Sequence, residues 1–271
     1  MEKKKVYKMF VFVVIVFVWS LIFINVRQYL KMNDTLKYFE KFYSAEEMDI
    51  LKKDIEPIQK SIDSEKYKIS LKGVWAQGNS ANCIFEIQEK DGTVITQKDI
   101  QSAIKNKCLE NNEDGKTALA GQEFQENGSG NHIIGIRILG EENVEELVVE
   151  IKIKEEQFLF TIPISLNYQT KQVVCVNDDA DYVYERVYIT PISMYSIISL
   201  DREPMNTKIC LNFLDGKKQE IETSDGYVSY EEADRKVCMR LFDSVYDVGQ
   251  LESVTVGNIK YKVVKNEEEL G

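Results

Sequence analysis

YKISLKGVWAQGNSANCIFEI, residues 67–87, is the stretch that decides the fold. Ile69 and Leu71 alternate with polar neighbours, and Cys83, Phe85 and Ile87 repeat the pattern. A period of two predicts strands over residues 68–75 and 82–88. Between them, Gln77-Gly78-Asn79-Ser80 is turn chemistry, so the two runs form an antiparallel pair. Downstream, Asp91-Gly92 marks another turn, and in-phase apolar residues predict strands at 132–139, 147–153 and 158–164. Residues 99–130 break the pattern. Within them, 100–109 reads either as a short helix or as an irregular strand, and 111–114 and 123–130 read as exposed loop.

A second set of strands is predicted at 173–176, 182–190, 194–200, 208–214, 218–223 and 235–242, and finally at 251–256 and 259–264. Gly257-Asn258 is a two-residue hairpin signal for the last pair, and Asp215-Gly216 serves the same role earlier. Strands at this density, joined by short polar turns, predict sandwiches rather than an alternating α/β fold. The division falls at two β-sandwich domains, 65–166 and 167–271, each of a size that closes its own core.

Upstream, residues 27–64 are rich in helix formers and predict a helical stalk. Ser44-Ala45-Glu46-Glu47 is a capping box, with Tyr43 and Met48 placed as a hydrophobic staple, so a helix starts at Ala45. Met48, Leu51 and Ile55 continue at helical spacing until Pro57 discourages helix, giving about three turns. Pro57 also leaves too short a run for a coiled-coil seam.

Further upstream still, residues 9–26 read MFVFVVIVFVWSLIFINV, without charge, proline or glycine. At about 1.5 Å per residue the run approaches the thickness of a bilayer core, and it has no polar face for a soluble helix to expose. No small-x-small cleavage site follows it, which favours a retained transmembrane helix over a cleaved signal. Lys3, Lys4, Lys5 and Lys8 precede the run, against Arg27 and Lys31 after it. By the positive-inside rule, residues 1–8 form a cytoplasmic tail and the bulk of the chain is extracytoplasmic, on a single-pass cell-membrane protein.

The chain has 271 residues, an apolar fraction of 44% and a formal charge of -11. A surface of that sign repels phosphate backbones, so no nucleic-acid partner is expected. The five cysteines, Cys83, Cys108, Cys175, Cys210 and Cys238, show no CxxC or zinc-knuckle spacing. His132 is the lone histidine, so any Ser-His-Asp triad or Cys-His dyad has one ring to build on. It opens a strand after a glycine-rich loop and reads as an edge or exposed residue. Asp178, Asp179 and Asp181 lack EF-hand spacing and read as a solvated linker between domains. Gly128-Ser129-Gly130 lacks the strand-elbow-helix context of a nucleophile and reads as loop. No catalytic residue, metal site or cofactor is expected.

Two constellations stand out as candidate sites. Trp75, Tyr182, Tyr184 and Tyr188 form a candidate ligand face, because aromatic rings stack on sugars and peptides; sheet propensity and core packing explain the same residues. Cys210 and Cys238 are each out of phase with the apolar residues of their strands, so a disulfide between them is a candidate if those strands face each other. Buried free thiols are the competing reading.

Residues 67–87 also resemble the opening of the outer domain in single-pass membrane proteins of Gram-positive bacteria related to anti-sigma factors. Gln77 stands where that family has an acidic turn residue. QFLFTIPI, residues 157–164, resembles the closing strand of the same domain. YERVYITPISMYSI, residues 184–197, with its Thr190-Pro191 pair, is similar to the start of a second, immunoglobulin-like domain in these proteins. LESVTVGNIKYKV, residues 251–263, is similar to its terminal hairpin. The resemblance spans roughly residues 58–264 and implies two immunoglobulin-like β-sandwiches. It implies no sigma-factor binding by this chain, because only residues 1–8 precede the helix.

The sequence therefore predicts a mainly β protein with an N-terminal transmembrane helix, a short helical stalk and two immunoglobulin-like β-sandwich domains. Its expected role is a tethered, non-catalytic binding or sensing module for an extracytoplasmic protein or envelope ligand. A structural or accessory envelope protein is the alternative, and a cell-wall enzyme a third.

Overall fold

A computed structural model describes residues 2–78, 80–90, 92, 95–108, 117–126, 130–140, 144–166, 173–176, 186–199, 208–221, 223–232, 235–257 and 259–264. Mainly β in class, the chain opens with one long helix, α1 (Glu2–Phe39), of 38 residues. Neither proline nor glycine interrupts these residues, so nothing stops the helix where the apolar run ends at Val26. At about 1.5 Å per residue it is roughly 57 Å long, against about 30 Å for a bilayer core. Residues Phe12–Phe39 are long and apolar enough to cross a membrane, and residues 12–26 are exposed.

After a turn at residues 40–43, α2 (Ala45–Leu51) starts at the predicted cap. The Ser44 hydroxyl accepts from the Glu47 amide and the Glu47 carboxylate accepts from the Ser44 amide. A 3-10 turn, Lys52–Asp54, completes the helical run. The remainder of the expected stalk is not helix. β1 (Ile55–Glu56) and β2 (Lys60–Asp63) both pair with β3 (Tyr67–Gln77), because Pro57 ends helix and the extended chain then finds an open strand edge.

β3 continues through a turn at Gly78 into β4 (Ser80–Glu89), the antiparallel pair expected from alternation. The unresolved choice over residues 100–109 is answered by a strand, β5 (Ile100–Cys108). β6 (Thr117–Glu126) takes in part of the stretch expected as loop. Then follow β7 (Asn131–Gly140), β8 (Val144–Ile153) and β9 (Glu156–Leu166). One sheet runs β1-β3-β4-β7-β6 with β2 also on β3, and a second runs β5-β8-β9. Their facing residues make one core, in which Phe85 meets Phe160 edge to face at 5.0 Å between ring centroids and Tyr67 meets Phe158 at 6.4 Å.

The second region holds β10 (Val173–Val176), β11 (Arg186–Thr190), β12 (Ser193–Ser199), β13 (Ile209–Phe213) and β14 (Lys218–Ile221). It closes with β15 (Thr223–Glu232), β16 (Arg235–Phe242), β17 (Leu251–Val256) and β18 (Ile259–Val263). All nine form one sheet in the order β14-β13-β17-β18-β10-β11-β12-β16-β15. Ile221 on β14 and Phe242 on β16 belong to the same core although seven strand spacings, roughly 34 Å in a flat sheet, separate them. The sheet therefore curls around that core. β15, absent from the sequence expectations, lies against β6 of the first region.

A β-bulge fixes which way the first sheet faces. The register on β4 passes from Leu71 to Gly73, leaving Lys72 as the extra residue and reversing the parity of every side chain beyond it. Before the bulge Ile69 and Leu71 point into the sandwich core; after it Val74 does, and Trp75 points to the opposite face. On that opposite face a Cβ at Gly73 would lie 2.4 Å from Thr35 Cγ2 of α1 and 3.2 Å from both Glu56 O and Phe39 Cε2. Thr35 is β-branched and held in a helix, so it cannot step aside cheaply. Gly73→Ala is expected to destabilise the full-length protein by about 1–3 kcal/mol through overpacking. The check is the thermal midpoint in detergent; an unchanged Tm would refute the close approach of α1.

Candidate functional site

Cross-strand pairing places Gly73 on β3, Ile84 on β4 and Gly135 on β7 in one row across the outer face of the first sheet. α1 and the turn after it lie along this row. Thr35 and Phe39 sit over Gly73, and the Phe42 ring reaches the positions of Ile84 and Gly135. The missing side chains let helix and sheet approach, and Phe39 is fully buried as a result. The bulge supplies the polar clamp. Thr35 Oγ1 donates to the Lys72 carbonyl at 2.8 Å, and Lys72 Nζ pairs with Glu86 Oε2 at 2.8 Å while lying 4.7 Å from the centroid of the Tyr38 ring. Tyr38 in turn donates its hydroxyl to Glu86 Oε1 at 3.2 Å. Burial alone would lower the Lys72 amine, but Glu86 and Tyr38 together outweigh it and hold it above its ordinary value.

α2 extends the contact to the second region. Phe39, Tyr43, Met48 and Leu51 form one buried cluster with Trp75, Ile84 and Ile133 of the first sheet and with Ile192 and Val245 of the second region. Glu47 works at two points: Oε2 completes the capping box, and Oε1 accepts the Val245 amide at 3.1 Å. Asn82 Nδ2 donates to the Tyr43 hydroxyl at 2.6 Å. Burial pushes that phenol up, against the opposing pull of the Arg137 guanidinium, which itself pairs with Glu123. Ser80 and Ser193 share a hydrogen bond across the regions, and Thr190 Oγ1 bonds the same Ser193 hydroxyl at 2.7 Å. Helix end, first sheet and second region thus meet in one desolvated joint.

Of the four aromatic residues singled out from the sequence, the two that are described, Trp75 and Tyr188, are buried. Trp75, a candidate for a ligand face or for core packing, is buried in the joint because the bulge turns it toward α1. Tyr188 is buried against Tyr195 at 5.5 Å. Tyr182 and Tyr184 lie outside the described residues, as do Asp178, Asp179, Asp181 and the Gly128-Ser129 pair. Cys210 is a free thiol, and five strands separate β13, which carries it, from β16, which carries Cys238. Cys83 is also free and fully buried, which pushes its thiol up and leaves it a poor nucleophile. His132 is buried rather than exposed, because Phe124 stacks on it and Nε2 meets Glu89 Oε1 at 2.9 Å. Among the described residues there is no group of three or more His, Cys, Asp or Glu side chains placed to hold a metal ion.

Sequence reading passed over the joint, although it left a signal: Met32, Leu36, Phe39 and Tyr43 recur at helical spacing beyond the apolar run. Beside the joint, the 243–250 strap carrying Val245 and the β13–β14 hairpin enclose a cavity of about 310 Å3.

No family model matches the chain, and no curated protein matches it. Among solved structures it is similar to a conserved domain protein from Bacillus anthracis, with a TM-score of 0.43 and 8% identity over 75% of this chain and 77% of that one. It is also similar to the N-terminal periplasmic domain of ScsB from Proteus mirabilis, with a TM-score of 0.18 and 9% identity over 78% of this chain and 98% of that one. At these scores neither defines the fold of this chain.

The joint has a pH signature. Tyr43 and Lys72 both hold their protons more tightly folded than unfolded, so their contributions are complete below the ordinary values of 10.0 and 10.5 and are lost as pH rises through the folded values. Thermal midpoints should fall above about pH 10, and Tyr43→Phe should flatten that fall; an equally steep decline in the variant would contradict it. Glu47→Ala removes both the cap and the Val245 bond and is expected to destabilise by about 1–2 kcal/mol. Chemical denaturation measures it, and a loss under about 0.3 kcal/mol would count against the bridge.

Proposed function

We propose that the chain is a membrane-tethered, non-catalytic binding or sensing module whose two β regions stand outside the cell membrane. Residues 9–26 are its span, with residues 1–8 on the cytoplasmic side. The observation that carries this reading is the continuity of α1 from the apolar run to the glycine row of the first sheet. A flexible linker would merely keep a domain near the membrane, whereas a buried helix end ties the domain's position to the helix. The lysines ahead of the run support the orientation, and the sequence phrases that resemble the outer domains of anti-sigma-related membrane proteins support the placement.

Two measurements on the full-length protein test the reading. Protease added to intact cells is expected to cut within residues 40–271, and full-length protein purified from membranes is expected to retain a specific partner that an unrelated single-pass protein does not. Protection of residues 40–271 overturns the orientation. Failure to retain any partner overturns the binding role.

A further inference from the structure

We infer that the cavity between the β13–β14 hairpin and the 243–250 strap is a peptide site, taking an extended strand with a lysine or arginine side chain turned inward. The inference rests on the binding reading above and names its ligand class. Three observations meet there. First, β14 pairs only with β13 and ends the sheet among the described residues. Phe213 donates its amide to the Lys217 carbonyl, and the antiparallel alternation then turns the main-chain groups of Lys218 and Glu220 outward; Gln219 Nε2 donates to the Glu220 carbonyl at 3.1 Å, a bond that an incoming strand would replace.

Second, side-chain direction follows from the register. Gln219 lies opposite Leu211, whose side chain is buried in the core, and Gln219 also lines the cavity. A strand laid against β14 therefore sends the residue opposite Gln219 into the cavity. Third, the cavity suits a cation on an apolar stem. Its walls include Phe213, Tyr246 and Val245, which cover methylenes and offer ring faces. Asp215 at the hairpin and Asp247 on the strap each use Oδ1 to accept a main-chain amide, from Lys217 at 2.9 Å and Gly249 at 3.1 Å. The second carboxylate oxygen of each makes no hydrogen bond among the described residues. With Lys217 as the one cation among the described lining residues, these carry a net single negative charge on a chain of charge -11. That balance favours a basic side chain over an acidic one.

Occupancy touches the joint directly, because the strap that walls the cavity is the one pinned by Glu47 through the Val245 amide and by Pro191 through the Tyr246 amide.

The test titrates full-length protein in detergent with capped Thr-Val-Lys-Val-Thr and with its leucine- and glutamate-centred counterparts, by calorimetry. The lysine peptide should bind about tenfold more tightly than either counterpart, and Asp215→Asn with Asp247→Asn should erase that preference. Lys218→Pro removes an outward amide without touching the β13 ladder and should abolish binding of all three. No binding by wild type, no preference for lysine, or undiminished binding by a Lys218→Pro protein with wild-type Tm overturns the site. Failure of the wider reading looks different. If the wild-type protein and the site variants retain the same membrane partner equally, this site is wrong and the binding role stands; if the wild type retains none, the binding role itself is wrong.

Discussion

A sheet covered on both faces is the constraint from which the rest of the structure follows. The inner face of β3-β4-β7 closes the sandwich core, as in any two-layer β domain, but the outer face is also dry, under the end of α1 and all of α2. Covering a sheet with a helix usually requires small residues where the axes cross. Gly73 and Gly135 provide them on either side of Ile84, and the Lys72 bulge sets the parity that brings Gly73 and Trp75 to that face. Remove the bulge and every residue from Gly73 to Gln77 would change sides.

Alternation made much of this legible. The β3–β4 pair, the turn at Gly78, the capping box at Ser44 and the terminal hairpin at Gly257 are all written in local chemistry, and all form as the residues dictate. What could not be read is whatever depended on a distant partner. A period of two says that Trp75 belongs to one face of a strand but not which face receives a helix. β1 and β2 sit in a stretch of helix-forming residues and become strands only because β3 offers an edge. β15, TSDGYVSYEE, is too polar and too interrupted to announce a strand, and is held by its ladder to β16. These are tertiary overrides of local preference.

The candidate sites show the same division. Aromatic residues on strands look alike whether they face ligand or core, so Trp75 and Tyr188 carried no label of their own. His132 looked exposed because a glycine-rich loop precedes it; its burial is set by Phe124 on the neighbouring strand and by Glu89, 43 positions away. The Glu47–Val245 bond spans 198 positions, and no local pattern anticipates it. Within the capping box, by contrast, the same glutamate was identifiable at once.

The uninterrupted course of α1 has one more consequence. A rod fixed at one end in the first sheet would, with its apolar part in lipid as proposed, transmit angle. Transmembrane helices lean by about 20° on average, and the lean changes when the hydrocarbon layer thickens or thins. On the proposed placement, the composition of the surrounding lipid would set the attitude of the strands beyond the helix, and a thinner patch of membrane would swing them sideways without altering a contact within them.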